Sequence, residues 1–357
     1  MVQTLNGSGN KHMIHANGPQ DIKVCKLRYS ISITNDKPLF FNLVDYRNIL
    51  FTSNDLEKII EFYNGFDNRD QLIQWMKERP KGVSYIHEVD GDNDIIVVIP
   101  TADFNGKYAI NCRENIFKGL HMIFVESGGK DDFYFNYAHN CNVGIKKAME
   151  YNPKWVVVSN DDMYKIDETY FLKECLNKVD NEENILVNYS PSEGISRIAA
   201  LTEGNLLRKI YYSRLITRMR GKQFLTYGIL DLETKLKTRY FPIDLGIFSH
   251  KLFHRRKLLM KFIPFSTFVI LSGKYIKEMA GELFDETYIN DSEDVDLAIR
   301  LSVETRINIV YIDYKIGSYI GSTLSGGACR WLRSFAGISY LNYKIEMGQY
   351  LGVVGVF

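Results

Sequence analysis

Short apolar runs alternate along this chain with longer stretches of helical spacing. IIVVIPT (95–101), HMIFVE (121–126) and KWVVVSN (154–160) are brief and rich in apolar and β-branched residues through their centres. Strands of that kind are buried on both faces, as in parallel sheets. Helical patterns fill the intervals around Lys107 to Gly119 and Asn136 to Tyr151, and further strands are expected at NILVNYS, STFVILSG and INIVYID. The pattern predicts an α/β domain, a mainly parallel sheet with helices on both faces and a nucleotide-binding type of layout.

The flanks read differently. Residues 1–20, rich in Asn, Gly and His, are expected to be a flexible tail. Residues 21–92 predict a small N-terminal α+β accessory unit. Its strand-like runs are KLRYSISI, PLFFNLVDY and VSYIHEV. Its two helices are NDLEKIIEFYNGF, with Asn54 as the expected cap, and NRDQLIQWMKERP, stopped by Pro80. The α/β domain then covers 93–315. A tail at 316–357 begins Gly/Ser-rich and turns helical, with bulky residues at Trp331, Leu332, Phe335, Ile338 and Leu341.

Composition narrows the function classes. With 45% hydrophobic and 24% charged residues among 357, the chain is globular, not disordered or fibrous. Its 44 basic and 43 acidic residues give +1, which argues against a nucleic-acid binder with a basic whole surface. Charge is uneven, however. Asn205 to Lys261 carries fourteen Lys or Arg against three acids, a local +11 that leaves −10 for the rest. Within it NLLRKIYYSRLITRMRGK places Leu207, Ile210, Tyr211 and Leu215 near one face, with Arg208, Arg214 and Arg218 elsewhere. A helical basic insertion is expected at about 205–261, either packed on the sheet, binding an anionic polymer or nucleotide phosphates, or resting on an anionic membrane surface.

Five scattered cysteines without a C-x-x-C pair exclude a zinc ribbon and suggest a reducing compartment. The N-terminus lacks an apolar signal core, and no run reaches the ~18 apolar residues of a membrane span. The expected location is cytoplasmic, or peripheral to a membrane.

Ligands of open parallel sheets bind beyond the carboxyl ends of the strands. Those ends carry Pro100-Thr101-Ala102-Asp103, then Glu126-Ser127-Gly128-Gly129, then Ser159-Asn160-Asp161-Asp162. Neither G-x-G-x-x-G nor G-x-x-x-x-G-K-[ST] follows the first strand, so a dinucleotide Rossmann site and a P-loop are both unsupported. Carboxylates in place of glycines suggest a base and ribose held by acids. Asp161 and Asp162 offer adjacent hard oxygens for a Mg²⁺ or Mn²⁺ ion bridging a diphosphate. Farther along, Glu293 and Asp294 fall in the first turn of a helix reading EDVDLAIRL, with Ser292 as its expected cap and Asp296 paired to Arg300. Asp285-Glu286 reads as a turn.

The run IIVVIPTADFNG, then IFVESGG, then NCNVGIKKAMEYNPKWVVVSNDDM resembles the nucleotide-sugar-binding half of family 2 glycosyltransferases, inverting enzymes with the GT-A fold. LSGKYIKEMAGELFDETYINDSEDVDLAIRL resembles that family's acceptor-side signature, so the similarity spans about residues 94–189 and 266–313. The resemblance implies a GT-A-like (Rossmann-like) sheet and transfer of a sugar from a nucleoside-diphosphate sugar to a hydroxyl acceptor: a glycan, a lipid-linked sugar or a protein. It implies nucleotide-sugar contacts at Thr101, Asp103, Glu126, Asn142, Asp161 and Glu293. Asn142 and Gly144 form the N-x-G of the helix beneath the nucleotide. Asp162 and Asn160 occupy the metal position, with Mn²⁺ or Mg²⁺ as cofactor, and Asp294 matches the general base. Relatives often place a His just after the strand equivalent to INIVYID, whereas YKIGSYIGSTLSGG has none.

Two other readings stay open from the sequence. One is a non-catalytic carbohydrate- or membrane-surface-binding protein on the same scaffold. The other is a sugar nucleotidyltransferase, although ADFNGKY lacks that enzyme's Gly-rich signature loop.

Overall fold

A computed structural model describes residues 55–127, 136–179, 185–189, 197–202, 232, 235–237, 241–244, 264–265, 268–279, 282–289, 291–303, 308–319 and 328–349. The expected tail at 1–20, the runs KLRYSISI and PLFFNLVDY, and the basic patches around Arg208 to Arg220 and His250 to Lys261 lie outside the described residues.

The described chain opens with helices α1 (Leu56–Asn64) and α2 (Arg69–Glu78). Asp55, not the expected Asn54, caps α1 by accepting the Glu57 N–H at 3.0 Å. Asn68 caps α2, accepting from the Gln71 N–H, and the helix ends just before Pro80. Next come β1 (Tyr85–Val89), β2 (Asp92–Thr101), α3 (Lys107–Asn111), a π-helical turn at Cys112–Ile116, β3 (Leu120–Glu126), α4 (Tyr137–Met149) and β4 (Trp155–Ser159). A ribbon strand β5 (Met163–Lys165) and helix α5 (Thr169–Asn177) follow, then β6 (Ile185–Tyr189), β7 (Arg197–Thr202), β8 (Phe241–Asp244), β9 (Pro264–Phe265) and β10 (Phe268–Ser272). The last elements are α6 (Gly273–Glu278), α7 (Glu293–Val303), β11 (Asn308–Ile312), β12 (Ile316–Ser318) and α8 (Ala328–Glu346).

Seven strands form the main sheet in the order β1-β3-β2-β4-β10-β6-β11. β3, β2 and β4 run parallel, as do β6 and β11. β10 is antiparallel to both of its neighbours, and β1 is antiparallel to β3. The sheet is therefore mixed where the apolar runs alone predicted a mainly parallel one. STFVILSG is as apolar as its neighbours because it too is covered on both faces, and burial does not encode direction. β1, from the stretch assigned to an accessory unit, hydrogen-bonds into this sheet as an edge strand.

Alternate residues of the parallel strands serve different cores. Ile95, Val97, Ile99, Phe124 and Val157 pack beneath Ala109, Cys112, Ile116 and Leu172. Ile96, Val98, Val125, Val156 and Val158 pack against Ala138, Cys141, Ile145 and Leu297 on the other face. That division explains why the strands are continuously hydrophobic. α4 comes so close that a Cβ on Gly144 would stand 2.3 Å from Val98 Cγ1. A third core joins α1 and α2 to α8 through Ile59, Tyr63, Leu72, Met76, Leu332, Phe335 and Leu341. There the Tyr63 hydroxyl donates to the Leu332 carbonyl at 2.7 Å and accepts the Ala336 N–H. Leu232 and Leu236, from within the basic interval, are buried in this same core. No helix among the described residues is long and apolar enough to cross a membrane.

Candidate functional site

The sheet reverses direction of growth at β2: β3 lies on one side and β4 on the other. Helices leaving consecutive strands then diverge to opposite faces and open a crevice at the carboxyl ends, the switch point where ligands of such sheets bind. α3 and the π turn cover one face and α4 the other. The side chains at this crevice are the ones the strand ends supply.

Thr101, 2% exposed at the end of β2, donates its hydroxyl to Asp161 Oδ2 at 2.8 Å, tying the ends of β2 and β4 together. Burial raises the Asp161 carboxyl to about 6; the Thr101 hydrogen bond opposes the rise and the neighbouring Asp162 charge adds to it. The Cys112 thiol, itself pushed up by burial, donates to the Asp161 carbonyl at 3.2 Å. Asp162 is buried, with its Oδ1 3.3 Å from the Ser318 hydroxyl and 3.4 Å from the Asn160 amide nitrogen. Its carbonyl accepts the Tyr319 N–H at 2.9 Å, which fixes the ribbon of β5 and β12 beside the loop. Ser318 thus reaches Asp162 from the segment where the resemblance would have led one to expect a His.

Asp103 joins this cluster through its backbone N–H, which donates to the Thr101 hydroxyl at 3.3 Å, but its side chain stands apart. It is exposed, and its Oδ1 accepts the Asn105 N–H at 2.9 Å in a local turn. Glu126, at the end of β3, meets His87 of β1, with Oε2 2.6 Å from Nε2. His87 in turn stacks on Phe104 at 4.3 Å between centroids with 5° between planes, and the Arg113 guanidinium carbon lies 4.6 Å from the same Phe104 ring centroid. Asn142, expected at the nucleotide, bonds to the Phe284–Glu286 segment. It accepts the Phe284 N–H at 3.0 Å, donates to the Phe284 carbonyl at 2.9 Å, and also donates to Glu286 Oε1 at 3.1 Å.

Glu293 and Asp294 begin α7. Asp294 Oδ1 accepts the Val295 N–H at 2.8 Å. The Ser292 hydroxyl donates to Asp291 Oδ1, and Ser292 has φ +70°, not the extended backbone of the N-cap expected from the sequence. Tyr137, at the start of α4, spans the two blocks. Its hydroxyl donates to Asn160 Oδ1 at 2.9 Å. Burial, with Cys141, Glu293 and Asp294 nearby, pushes its phenol well above the ordinary value. Asp296 is fully buried and bonded to Arg300 Nε at 2.8 Å, the pairing expected from the sequence, and also to Lys344 Nζ at 2.6 Å. These bonds tie α7 to α8 and support the fold.

His87, Phe104, Arg113 and Tyr137 are site residues that the sequence reading missed. His87 and Glu126 are 39 residues apart. Only the pairing of β1 with β3 brings them together, and the spacing of His residues carried no hint of it. Among the described residues no three His, Cys, Asp or Glu side chains converge as a metal centre. The donor set of Asp161 and Asp162, with the Thr101 hydroxyl beside them, still suits a hard cation of the Mg²⁺ type, which takes one or two carboxylates and completes its shell with phosphate oxygens and water.

Against known proteins, the chain matches no family model and no curated protein.

Proposed function

We propose that this chain is an inverting glycosyltransferase of GT-A type that moves a sugar from a nucleoside-diphosphate sugar to a hydroxyl acceptor. The observation that carries the reading is the join at the switch point. Thr101 and Asp161 lock the ends of β2 and β4, and Tyr137 connects the adjoining Asn160 to Phe284 of the downstream segment that leads to Glu293 and Asp294. A nucleotide-diphosphate end and a proton-accepting carboxylate would then stand across one crevice. Asn142 reinforces the same union of blocks through Phe284.

In this reading the acceptor oxygen attacks the anomeric carbon opposite the leaving diphosphate, and its proton passes to the Asp294 carboxylate. The anomeric C–O bond breaks with its electron pair going to the diphosphate oxygen, which inverts the configuration. Asp162 and Asp161 would hold a divalent cation, whose contribution when bound is neutralisation of the departing charge. Thr101 orients Asp161, and Ser318 and Asn160 orient Asp162.

The test is turnover and its loss. UDP-, GDP- and dTDP-sugars with Mn²⁺ are screened for release of nucleoside diphosphate, and the active donor is then assayed with Asp294→Asn. That variant keeps the side-chain volume but cannot take the proton, so the transfer rate is expected to fall about 100-fold or more with donor affinity unchanged. Near-normal turnover would remove Asp294 from the base role, and absence of turnover with every donor would remove the reading itself.

A further inference from the structure

An irregular stretch of buried backbone has to find hydrogen-bond partners outside itself. Residues 282–289, which lead to α7 and its Asp294, carry turns and bends but no helix or strand. Asn142 of α4 takes both backbone groups of Phe284. The Glu286 carbonyl accepts from Asn136 Nδ2 and from Lys81 Nζ, each at 2.9 Å, and the Tyr288 carbonyl accepts from Arg79 Nη2 at 2.9 Å. Two cations in the connection from α2 to β1 thus hold two carbonyls of the loop that precedes α7.

That connection is a firm support. Arg79 ends α2, its N–H donating to the Trp75 carbonyl at 2.9 Å, and Pro80 fixes the next backbone angle. The helix behind it is packed with α1 and α8 in the core that also takes the Tyr288 ring. Arg79 is 6% exposed, burial brings its guanidinium down to about 10, and its Nε has no hydrogen-bond partner among the described residues. A side chain that served only to pack α2 would not carry a charge into that position, because burying one is costly. The hydrogen bond Arg79 makes there goes to the loop before α7.

We propose that Arg79 and Lys81 are positioning residues for the proton transfer: they fix the course of residues 284–288 and, through it, where Asp294 stands in the crevice. The proposal rests on the transfer reaction above and gives the helices ahead of the sheet a part in it. Neither side chain touches the reacting atoms; both act through the carbonyls of Glu286 and Tyr288. Charged N–H donors make the stronger hydrogen bonds, which suits them to hold a loop that has no ladder of its own. A displacement of about 1 Å at a reacting group can lower a rate about 100-fold, so the support of this loop bears directly on turnover.

Hydrogen exchange and steady-state kinetics on Arg79→Met, Lys81→Met and the conservative Lys81→Arg test this. The N–H groups of Phe284, Thr287 and Tyr288 are all hydrogen-bonded, so their exchange reports on the loop. Both Met variants are expected to speed that exchange about tenfold, with the amides of β2 and β4 unchanged. With the donor and acceptor that the wild type turns over, kcat should fall about tenfold or more while donor affinity is unchanged. Lys81→Arg, which can still donate to the Glu286 carbonyl, should keep most of the wild-type rate. Exchange unchanged at those three amides, or raised equally in β2 and β4, overturns the brace and leaves the transferase reading standing. Faster loop exchange with an unchanged kcat, or Lys81→Arg no better than Lys81→Met, overturns the positioning role alone. Absence of turnover by the wild type with every donor overturns the transfer reaction and the positioning role together, whatever the exchange shows. If Arg79→Met does not fold, Lys81→Met, at a half-buried position, decides by the same readouts.

Discussion

Asp161 and Asp285 are both enclosed by protein, and they respond in opposite directions. Burial and the adjacent Asp162 lift Asp161 to about 6, against the pull of the Thr101 hydroxyl. Burial acts on Asp285 in the same upward sense, but Lys344 and the Thr287 N–H outweigh it and bring the carboxyl to about 2. Glu286 behaves likewise: His139 at 2.9 Å and Asn142 lower it in spite of burial. Asp285 and Glu286 are thus compensated within the fold, whereas Asp161 beside Asp162 stays raised, as does Glu282, which burial and the neighbouring Glu286 push up. A carboxyl raised by burial beside a second acid costs stability in its charged form, which makes Asp161 a candidate for a ligand contact. Position in the sequence did not distinguish the two clusters; their partners do.

The sharpest way to break this contrast is to remove the shared cation. Lys344 is 7% exposed and reaches Asp285 at 2.9 Å and the fully buried Asp296 at 2.6 Å. Lys344→Met takes the shared cation from both carboxylates, leaving Asp296 with Arg300 and Asp285 with Thr287 and Tyr340, so a loss of about 3 kcal/mol is expected, read as a fall in Tm of roughly 10 °C. Asp161→Asn, by contrast, removes one of two repelling charges, keeps an oxygen for Thr101, and should leave Tm unchanged or raise it. If Asp161→Asn destabilises as much as Lys344→Met, the two clusters are alike and the comparison collapses.

Acid sharpens it further. The Asp285 carboxyl is held at about 2 against an ordinary 3.8, so the folded state releases this proton more readily than the unfolded chain does. The stabilisation is therefore full above about pH 4 and is lost as pH falls through about 2, and it amounts to about 2 kcal/mol. Urea midpoints measured between pH 5 and pH 2 should fall less steeply in Asp285→Asn than in wild type. Parallel curves would mean that Lys344 does not hold Asp285 down.

What could be read from the sequence follows from where each determinant lies. IIVVIPT, HMIFVE and KWVVVSN declared themselves because a strand covered on both faces must be apolar at every position, and β2, β3 and β4 are such strands. Their polar ends then named Thr101, Asp161 and Asp162 directly. The antiparallel course of β10 was hidden, since it depends on the path of the chain before it. The exposed, local role of Asp103 and the orientation of Asn142 toward Phe284 were hidden too, because a side chain's partner is a tertiary fact. The His87–Glu126 pair needed the register of β1 on β3, in which Tyr85 lies opposite Glu126 and His87 opposite Phe124. A strand with exposed Tyr85 and Ile86 and mixed polarity gives no such register from pattern alone.

Ser292 provides the finest test, because its backbone sets the first turn of α7 just before Glu293 and Asp294. A φ of +70° is uncommon outside glycine and costs a residue with a Cβ about 1 kcal/mol. Two contacts hold it there: its hydroxyl donates to Asp291 at 2.8 Å, and α8 packs so closely that a Cβ on Gly337 would stand 2.4 Å from the Asp291 carbonyl. Ser292→Ala and Ser292→Gly both lose the hydroxyl bond, so their difference isolates the strain. Ser292→Gly should exceed Ser292→Ala in stability by about 1 kcal/mol by urea denaturation, even though glycine leaves the unfolded chain more entropy to lose. If the alanine variant is equal or better, the turn is unstrained as it stands. The placement of Asp294 then owes nothing to a forced backbone, and the 282–296 block is held by its ion pairs alone.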